Sequence, residues 1–308
     1  MIVIDGEELQ KKIPNAIVTS GTFDGVHIGH QKILSGISEQ ARKAGGNSVV
    51  LTFWPHPRFV INPEEKGLKL LSTFEEKATL IREAKIDYLV KLRFTTEFSK
   101  LTSEQFIRKI LIDKLGTQKL VIGYDHHFGK NREGSFDYLK ANTDKFGFEV
   151  QEIPRQDIDH IGVSSTKIRN ALFYGKVDVA SEFLGRPYEL TGTVVSGNKL
   201  GTQIGFPTAN IELEEEYKLI PGNAVYAVRV KTGDQLYSGM MNIGTRPTVD
   251  GTAQKLEVNI FDFSQDLYGK QITIFFIRRI RDEKKFANVS ELSAQLGLDK
   301  EQAKNFLT

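Results

Sequence analysis

The sequence predicts an α/β chain of two domains: a parallel β-sheet with helices on both faces, then a small antiparallel β-barrel with a closing helix. Helix-like and strand-like segments alternate through the first half, which is typical of a parallel sheet. After Gly185-Arg-Pro187, strands follow one another at short intervals, which is typical of a barrel. The 308 residues are enough for two cores. We predict domains at residues 1–184 and 185–308.

Composition indicates an ordinary globular chain. The net charge of +2 gives no electrostatic case for a nucleic-acid or membrane partner, and self-association is left open. The chain has no cysteine, which excludes disulfides, thiolate metal sites and cysteine nucleophiles and fits a reducing compartment. The first residues lack the apolar core of a signal peptide, and no apolar run reaches membrane-spanning length. We therefore expect a cytoplasmic protein.

In the first domain, short apolar runs predict strands, and apolar residues that recur every three or four positions predict helices. The predicted strands are residues 16–19, 48–53, 88–92, 120–122 and 148–153. The predicted helices are residues 29–44, 74–84, 103–115 and 136–146, followed by one or two short helices within 168–184. Ligands of such sheets bind at the carboxyl ends of the strands. The motifs that follow these strands are therefore the candidate site.

The segment that joins the first strand to the first helix carries the strongest signal. It reads Gly21-Thr22-Phe23-Asp24-Gly25-Val26-His27-Ile28-Gly29-His30. Gly21 and Gly25 allow a tight turn and a close approach of backbone to ligand. Amides at a helix start suit phosphate oxygens, and His27 and His30 share one face of the first turn. A tight turn alone, or a metal site that lacks a third nearby ligand, are the alternatives.

Three further motifs lie near strand ends or a helix start. Thr52-Phe53-Trp54-Pro55-His56-Pro57 offers flat rings for a planar ligand, although a packed proline-rich loop is the alternative. Asp125, in Gly123-Tyr-Asp-His-His-Phe-Gly129, is placed to take a ribose hydroxyl or a metal, or is only a turn residue. Ser164, Ser165, Thr166 and Arg169 combine hydroxyls, helix-start amides and a guanidinium in a second phosphate cradle, or form a capped helix.

The second domain is predicted to be all-β up to its last helix. The predicted strands are residues 189–195, 224–230, 236–243, 256–263 and 271–280. A closing helix at residues 290–306 would turn Leu292, Leu296, Ala303 and Phe306 inward. These segments together predict one barrel of about 120 residues covered by one helix.

One loop of the second domain has a sequence that predicts phosphate binding. Gly201 and Gly205 loosen the backbone ahead of Phe206-Pro207-Thr208-Ala209-Asn210. Thr208 and Asn210 are two positions apart, so they face the same way on an extended segment. Their neutral oxygens suit a magnesium ion that leans on phosphates. Glu257 lies within an apolar strand, where it is either a functional carboxylate or simply an outward-facing one.

The first-domain motifs resemble those of a known enzyme family. His27-Ile-Gly-His30 resembles the His-x-Gly-His signature of the nucleotidylyltransferase superfamily, and the longer Gly21–His30 stretch is similar to prokaryotic FAD synthetases. The other three motifs follow in that family's order, so the resemblance covers roughly residues 15–187. It implies a Rossmann-like domain that binds ATP phosphates on residues 21–25, 29, 125 and 164–166 and flavin on residues 53–56. His126-His127 departs from the family's usual phenylalanine.

The second-domain motifs resemble those of the riboflavin kinases. Phe206-Pro-Thr-Ala-Asn210 is similar to the signature of that family, and Gly201 and Gly205 precede it. The resemblance implies that Thr208 and Asn210 place Mg-ATP, that Glu257 is the catalytic base, and that flavin contacts Asn242, Arg281 and Phe286. Thr202 and Ala224 stand where the family usually has arginine and glycine.

Together the resemblances imply a bifunctional enzyme of flavin-cofactor biosynthesis. One domain would phosphorylate riboflavin with ATP to FMN, and the other would join FMN to AMP from a second ATP with magnesium, giving FAD and pyrophosphate. His27, His30 and Arg169 would stabilise charge in the second reaction. The alternative is an adenylyltransferase whose barrel only binds or senses flavin. An aminoacyl-tRNA-synthetase-like enzyme is disfavoured, because no anticodon-binding domain or Lys-Met-Ser-Lys-Ser-like loop is seen.

Overall fold

The computed structural model describes residues 1–64, 67–123, 127–130, 133–153, 162–197, 201, 204–248 and 251–308. It divides into two compact units, Met1–Ser165 and Thr166–Thr308. The units therefore meet earlier in the chain than the predicted boundary at residues 184/185. The two helices between these points belong to the second unit, and the later of them, Val177–Leu184, packs against barrel strands.

The first unit contains a six-stranded sheet among its described residues, and all its strand pairs are parallel. The strands are β1 (Ile2–Asp5), β2 (Ala16–Ser20), β3 (Asn47–Trp54), β4 (Tyr88–Arg93), β5 (Thr117–Gly123) and β6 (Glu149–Ile153). Their order across the sheet is β1-β4-β3-β2-β5-β6. The parallel sheet expected from the sequence is confirmed, and β1 is an edge strand that the sequence analysis missed.

Helices cover this sheet on both faces. They are α1 (Ile28–Lys43), α2 (Pro57–Ile61), α3 (Phe74–Glu83), α4 (Thr96–Ser99), α5 (Ser103–Phe106, continued by a π-helical segment Ile107–Leu115), α6 (Phe136–Ala141) and α7 (Thr143–Phe146). Neighbouring strand residues point to opposite faces. Val18 accordingly packs into the core that contains Leu111, whereas Ile17 packs into the core that contains Leu34 and Ile81.

One predicted helix was wrong in detail. Residues 136–146 form two short helices, because the chain leaves helical geometry at Asn142, where φ is −120° and ψ is 16°. The Asn142 amide donates to the carbonyl oxygen of Tyr138 at 2.8 Å. An asparagine that bonds to nearby backbone competes with helix continuation.

The strand order identifies where a ligand would bind to the first unit. From β2 the chain moves to β3 and β4 on one side, and later to β5 and β6 on the other. β2 and β5 are neighbours, so the order reverses between them. A crevice forms at the carboxyl ends of strands at such a reversal. The Gly21–His30 segment begins directly after β2, at this position.

The second unit begins with two helices and continues as a closed antiparallel barrel. The helices are α8 (Ser165–Phe173) and α9 (Val177–Leu184), and the strands are β7 (Tyr188–Val195), β8 (Ala209–Glu212), β9 (Ala224–Thr232), β10 (Gln235–Thr248), β11 (Gly251–Ile260) and β12 (Gln271–Arg281). The barrel order is β10-β11-β8-β7-β12-β9. The closing helix α10 (Val289–Leu307) buries Ala303 and Leu307 against Met240 and Phe261. The predicted barrel is confirmed, with β8 as an additional short strand.

Candidate active sites

In the first unit, the Gly21–His30 loop contains several residues with positive φ angles. Phe23, Gly25 and Val26 have positive φ angles of 48°, 78° and 39°. Glycine tolerates this conformation, but a β-branched valine adopts it only where its surroundings hold it there. Val26 is buried at 1% exposure. The loop is therefore a fixed turn that delivers two histidines to the start of α1.

The two histidines stack on each other. Their ring centroids are 3.6 Å apart with an interplanar angle of 16°. His27 Nδ1 accepts a hydrogen bond of 3.3 Å from the backbone N–H of His30, so His27 caps α1. Among the described residues, His30 Nδ1 is buried with no hydrogen-bond partner. Burial, followed by the charges of His27 and Lys77, lowers the pKa of His30 well below its usual value, so His30 is neutral at neutral pH.

Asp24 holds the loop in place. It is 2% exposed and accepts hydrogen bonds from the backbone N–H of Leu71 at 2.9 Å and of Ser72 at 3.2 Å. The hydroxyl of Ser72 in turn accepts from the N–H of Gly25 at 3.1 Å. A buried carboxylate stabilised by amide donors is suited to fixing backbone. These bonds give the Asp24 side chain a structural task, whereas its neighbouring amides remain the predicted phosphate donors.

The serine motif lies beside the same loop. Ser165 Oγ donates to the carbonyl oxygen of Asp24 at 3.0 Å. A Cβ atom on Gly29 would lie 3.3 Å from both the His27 ring and the Val163 side chain, so glycine permits close packing there. The structure thus brings Ser165 to the histidine motif. Thr166 and Arg169 belong to the second unit, and Asp125 lies outside the described residues.

The predicted flavin surface is only partly assembled. Trp54 is half-buried and lies 5.7 Å from Phe74 between ring centroids. Phe53 packs into the aromatic core at 5.8 Å from Phe94, since consecutive strand residues point to opposite faces. His56 is buried, and its Nδ1 accepts from the N–H of Arg58 at 3.3 Å. The peptide bond between Trp54 and Pro55 is cis.

Lys77 is a charged residue of this region that the sequence analysis missed. It is 2% exposed, and its Nζ lies 5.1 Å from the centre of the Trp54 ring. Burial lowers its pKa to about 8, and the nearby Asp24 carboxylate opposes that shift. Its place on the inward face of α3, four residues before the buried Ile81, was a visible signal.

The barrel contains a cavity of about 270 Å³. Predicted residues that line it are Gly201, Phe206, Thr208, Asn242, Glu257, Arg281 and Phe286. Glu257 is the cross-strand partner of Asn242 on one side and of Asn210 on the other, so these residues form a row across β10, β11 and β8. Directly opposite residues place their side chains on one face. The structure therefore brings together the carboxylate and the two amides that the sequence singled out separately.

Two lining residues beside Glu257 were missed. Lys255 Nζ forms an ion pair of 2.8 Å with Glu257, and Asn259 donates to the carbonyl oxygen of Pro207 at 2.6 Å. Both residues are two positions from Glu257 on β11. Side chains alternate between the two faces of a strand, so Lys255 and Asn259 lie on the same face as Glu257. Asn259 anchors the Pro207 segment to the cavity wall, and Lys255 brings a positive charge to the same wall.

The glycines of the loop allow close backbone contacts. The N–H of Phe206 donates to the carbonyl oxygen of Gly201 at 2.8 Å, and a Cβ on Gly201 would overlap the carbonyl oxygen of Phe206. Gly205 has a φ of 81°, which disfavours any larger residue. The sequence predicted a loosened loop at these glycines, and the structure shows a tight turn there.

Arg281 is held by a buried carboxylate on α10. Its Nε and Nη2 donate to the two carboxylate oxygens of Asp299 at 2.8 and 2.7 Å, and Asp299 is 1% exposed. Gln295 also donates to Asp299, at 2.9 Å. The Arg281 guanidinium lies 5.6 Å from the Phe286 ring centre. Asp299 has no motif around it, so sequence reasoning missed this partner.

Comparison with known families assigns the two parts of the chain to two enzyme families. A family model described as FAD synthetase matches residues 9–167, and one described as riboflavin kinase matches residues 184–307. A bifunctional riboflavin kinase/FMN adenylyltransferase from Haemophilus influenzae is 38% identical over 94% of this chain and 93% of its own length. The Listeria monocytogenes protein of that description is 38% identical over 95% and 92% of the two chains.

A solved structure shares the whole architecture. A crystal structure described as a macrolide-efflux protein from Streptococcus pneumoniae superposes with a TM-score of 0.88 and 33% identity, covering 99% of this chain and 98% of the other. The efflux description belongs to that protein. Within the part of this chain that the structure describes, no helix is both long and apolar enough to cross a membrane.

Proposed function

This chain belongs to the family of bifunctional riboflavin kinase/FMN adenylyltransferases, and from this membership we propose which of its residues carry out each reaction. The enzyme phosphorylates riboflavin to FMN and adenylylates FMN to FAD, with ATP as the donor in both steps. We place the first reaction in the barrel cavity and the second at the start of α1.

The row formed by Asn210, Glu257 and Asn242 is the observation that carries the kinase assignment. The attacking group of riboflavin is a neutral alcohol, so phosphoryl transfer benefits from a carboxylate that accepts its proton. Glu257 is the central residue of the row and lines the cavity. Lys255, at 2.8 Å, holds that carboxylate in position. The flavin ring would be bounded by Arg281 and Phe286, which line the same cavity.

We propose magnesium as the cofactor, held by Thr208 and Asn210 together with substrate phosphates. Hydroxyl and amide oxygens are donors that magnesium accepts. Among the described residues, no group of three or more His, Asp or Glu side chains is placed to hold a metal. Thr208 and Asn210 supply only two oxygen ligands, which fits an ion that takes the rest of its ligands from ATP and water. Bound there, magnesium would offset negative charge on the transferred phosphoryl group.

Adenylylation makes different demands on the protein. The phosphate of FMN is already anionic, with a second pKa of about 6, so it needs no base. The protein must instead align two phosphates and donate hydrogen bonds to the charge that develops. The α1 amides, the His27–His30 pair and the Ser165 segment lie at the sheet's reversal point, which supports this role. Arg169 would add a cation according to the resemblance.

We also propose a cytoplasmic location, where ATP is available.

A two-tube assay tests both placements. Protein, ATP and magnesium are incubated with riboflavin in one tube and FMN in the other, and the flavins are separated by chromatography. Glu257→Gln should slow FMN formation about 100-fold or more while FAD formation from FMN persists. His27→Ala should slow FAD formation and spare FMN formation. Near-normal FMN formation by Glu257→Gln would show that Glu257 is not the base. Unchanged FAD formation by His27→Ala would contradict the adenylylation site.

A further inference from the structure

Lys77 is a buried cation that neither the motifs nor the proposed chemistry uses. A buried ammonium is costly unless nearby groups compensate it. Methionine or leucine would fill a similar volume on the inward face of α3 without that cost. The charge lies in the adenylyltransferase unit, directly beside two loops predicted to bind different substrates. Its partners therefore indicate what the charge contributes.

The first partner is Trp54, the last residue of β3, which opens the loop predicted to contact flavin. The Lys77 Nζ lies 5.1 Å from the centre of the indole ring, within the range of a cation–π interaction. Phe74, one turn earlier on α3, contacts the same ring at 5.7 Å between centroids. Two α3 residues therefore fix the orientation of Trp54.

The second partner is Asp24, in the loop predicted to bind phosphate. Its carboxylate also accepts from the N–H groups of Leu71 and Ser72, which lead into α3. The helix start itself is fixed by reciprocal hydrogen bonds between Thr73 and Glu76, at 2.9 and 3.2 Å. The Asp24 carboxylate acts on Lys77 electrostatically, because it opposes the lowering of the Lys77 pKa by burial. The segment that donates to Asp24 leads directly into the fixed start of α3.

We propose that Lys77 is a positioning residue for adenylyl transfer, which aligns the Trp54 loop with the Asp24–His30 loop. One ammonium acts on both loops, so it fixes the FMN phosphate relative to the phosphates of ATP. Misalignment of reacting groups by about 1 Å costs on the order of 100-fold in rate. The inference rests on the proposed placement of adenylylation at α1.

The test compares Lys77→Met and Lys77→Arg in the full-length chain. Lys77→Met keeps an unbranched apolar stem and removes the charge. We expect kcat for FAD formation to fall about 10- to 100-fold, with smaller changes in KM for FMN and ATP, because each loop still binds its substrate. Lys77→Arg keeps the cation over the ring and should recover most of kcat. FMN formation in the barrel is an internal control and should stay normal.

A matched control is Lys140→Met. Lys140 also lies over an aromatic ring, at 5.8 Å from the centre of Phe136, but it is exposed on α6. Its loss should leave both activities unchanged. Trp54 is the chain's single tryptophan, so its emission spectrum should change in Lys77→Met, return in Lys77→Arg and stay normal in Lys140→Met.

Three outcomes would overturn the inference: normal kcat in Lys77→Met, a change in KM alone, or equal loss of both activities with a lowered melting temperature. The last would show a purely structural lysine. His30→Ala, measured in parallel, separates this inference from the proposed site. If His30→Ala slows FAD formation and Lys77→Met does not, only the role of Lys77 fails. If neither variant slows it, the site itself is misplaced.

Discussion

Removal of the Asp299 carboxylate would test how α10 is joined to the kinase cavity. Asp299 is 1% exposed and accepts hydrogen bonds from two nitrogens of Arg281, whose side chain is 20% exposed. Such two-point contacts between guanidinium and carboxylate are the strong form of ion pair. Asp299→Ala therefore leaves a largely buried cation without its partner.

The expected loss of stability follows from that burial. Breaking a buried pair on one side costs about 3–5 kcal/mol. We expect about 3 kcal/mol, because the exposed part of Arg281 regains some hydration. For a unit of this size, 1 kcal/mol corresponds to about 4 °C, so the barrel should melt about 12 °C lower. The melting temperature is measured by differential scanning calorimetry without ADP or FMN, because a bound ligand would raise it.

A surface ion pair provides a control for this prediction, and a double variant that removes both charges provides a second test. Arg279 pairs with Asp282 on the surface, where the Asp282 side chain is 82% exposed, so Asp282→Ala should cost at most about 1 kcal/mol. The double variant Arg281→Met/Asp299→Leu removes both charges and should regain most of the lost stability. Equal melting temperatures for Asp299→Ala and Asp282→Ala would refute the reasoning, as would a double variant no more stable than Asp299→Ala.

Two further predictions concern the loops. The pKa of His30 is lower in the folded chain than in the unfolded chain. The stability that neutral His30 contributes is therefore present above about pH 6.5 and is lost as pH falls below that value. In urea titrations from pH 8 to 5, the free energy of unfolding should fall more steeply for wild type than for His30→Gln. Gly201→Ala should raise the kinase KM for ATP, because its Cβ would displace the Phe206 carbonyl group. Gly297→Ala, with open space around it in α10, should leave KM unchanged and stabilise the helix by up to about 1 kcal/mol.

The order of elements was largely predictable because each signal was local. Apolar runs became β2, β3, β4 and β5, and the period of apolar residues gave α1 and α3. β8 was missed because it has only four residues, and its pairing with β7 and β11 depends on distant sequence. The break at Asn142 was missed because a single side-chain bond to Tyr138 decides it.

The candidate sites, like the elements, have a part with local sequence signals and a part that depends on distant residues. The glycines, the histidines and the Thr208–Asn210 pair could be proposed from the sequence because the members of each group lie at short spacing. The structure then placed Asn242 and Glu257 side by side, which the sequence alone does not give, because strand register is a tertiary property. His30 was expected to stabilise charge, and burial lowers the pKa of its ring, which is therefore neutral at neutral pH. In the proposed role, a neutral ring would act by hydrogen bonding and not by its own charge.

The residues that sequence reasoning missed share one property: each supports a motif residue from another element. Asp299 on α10 holds Arg281 on β12, and Lys77 on α3 lies over the Trp54 ring at the end of β3 and feels the charge of Asp24. Such partners carry no spacing signal, because their separation along the chain is arbitrary. Buried charge is the signal that remains, since an unpaired charge in a core is too costly to persist. A charged residue on the apolar face of a predicted helix therefore points to a partner in a nearby site, and Lys77 and Asp299 both satisfy that criterion.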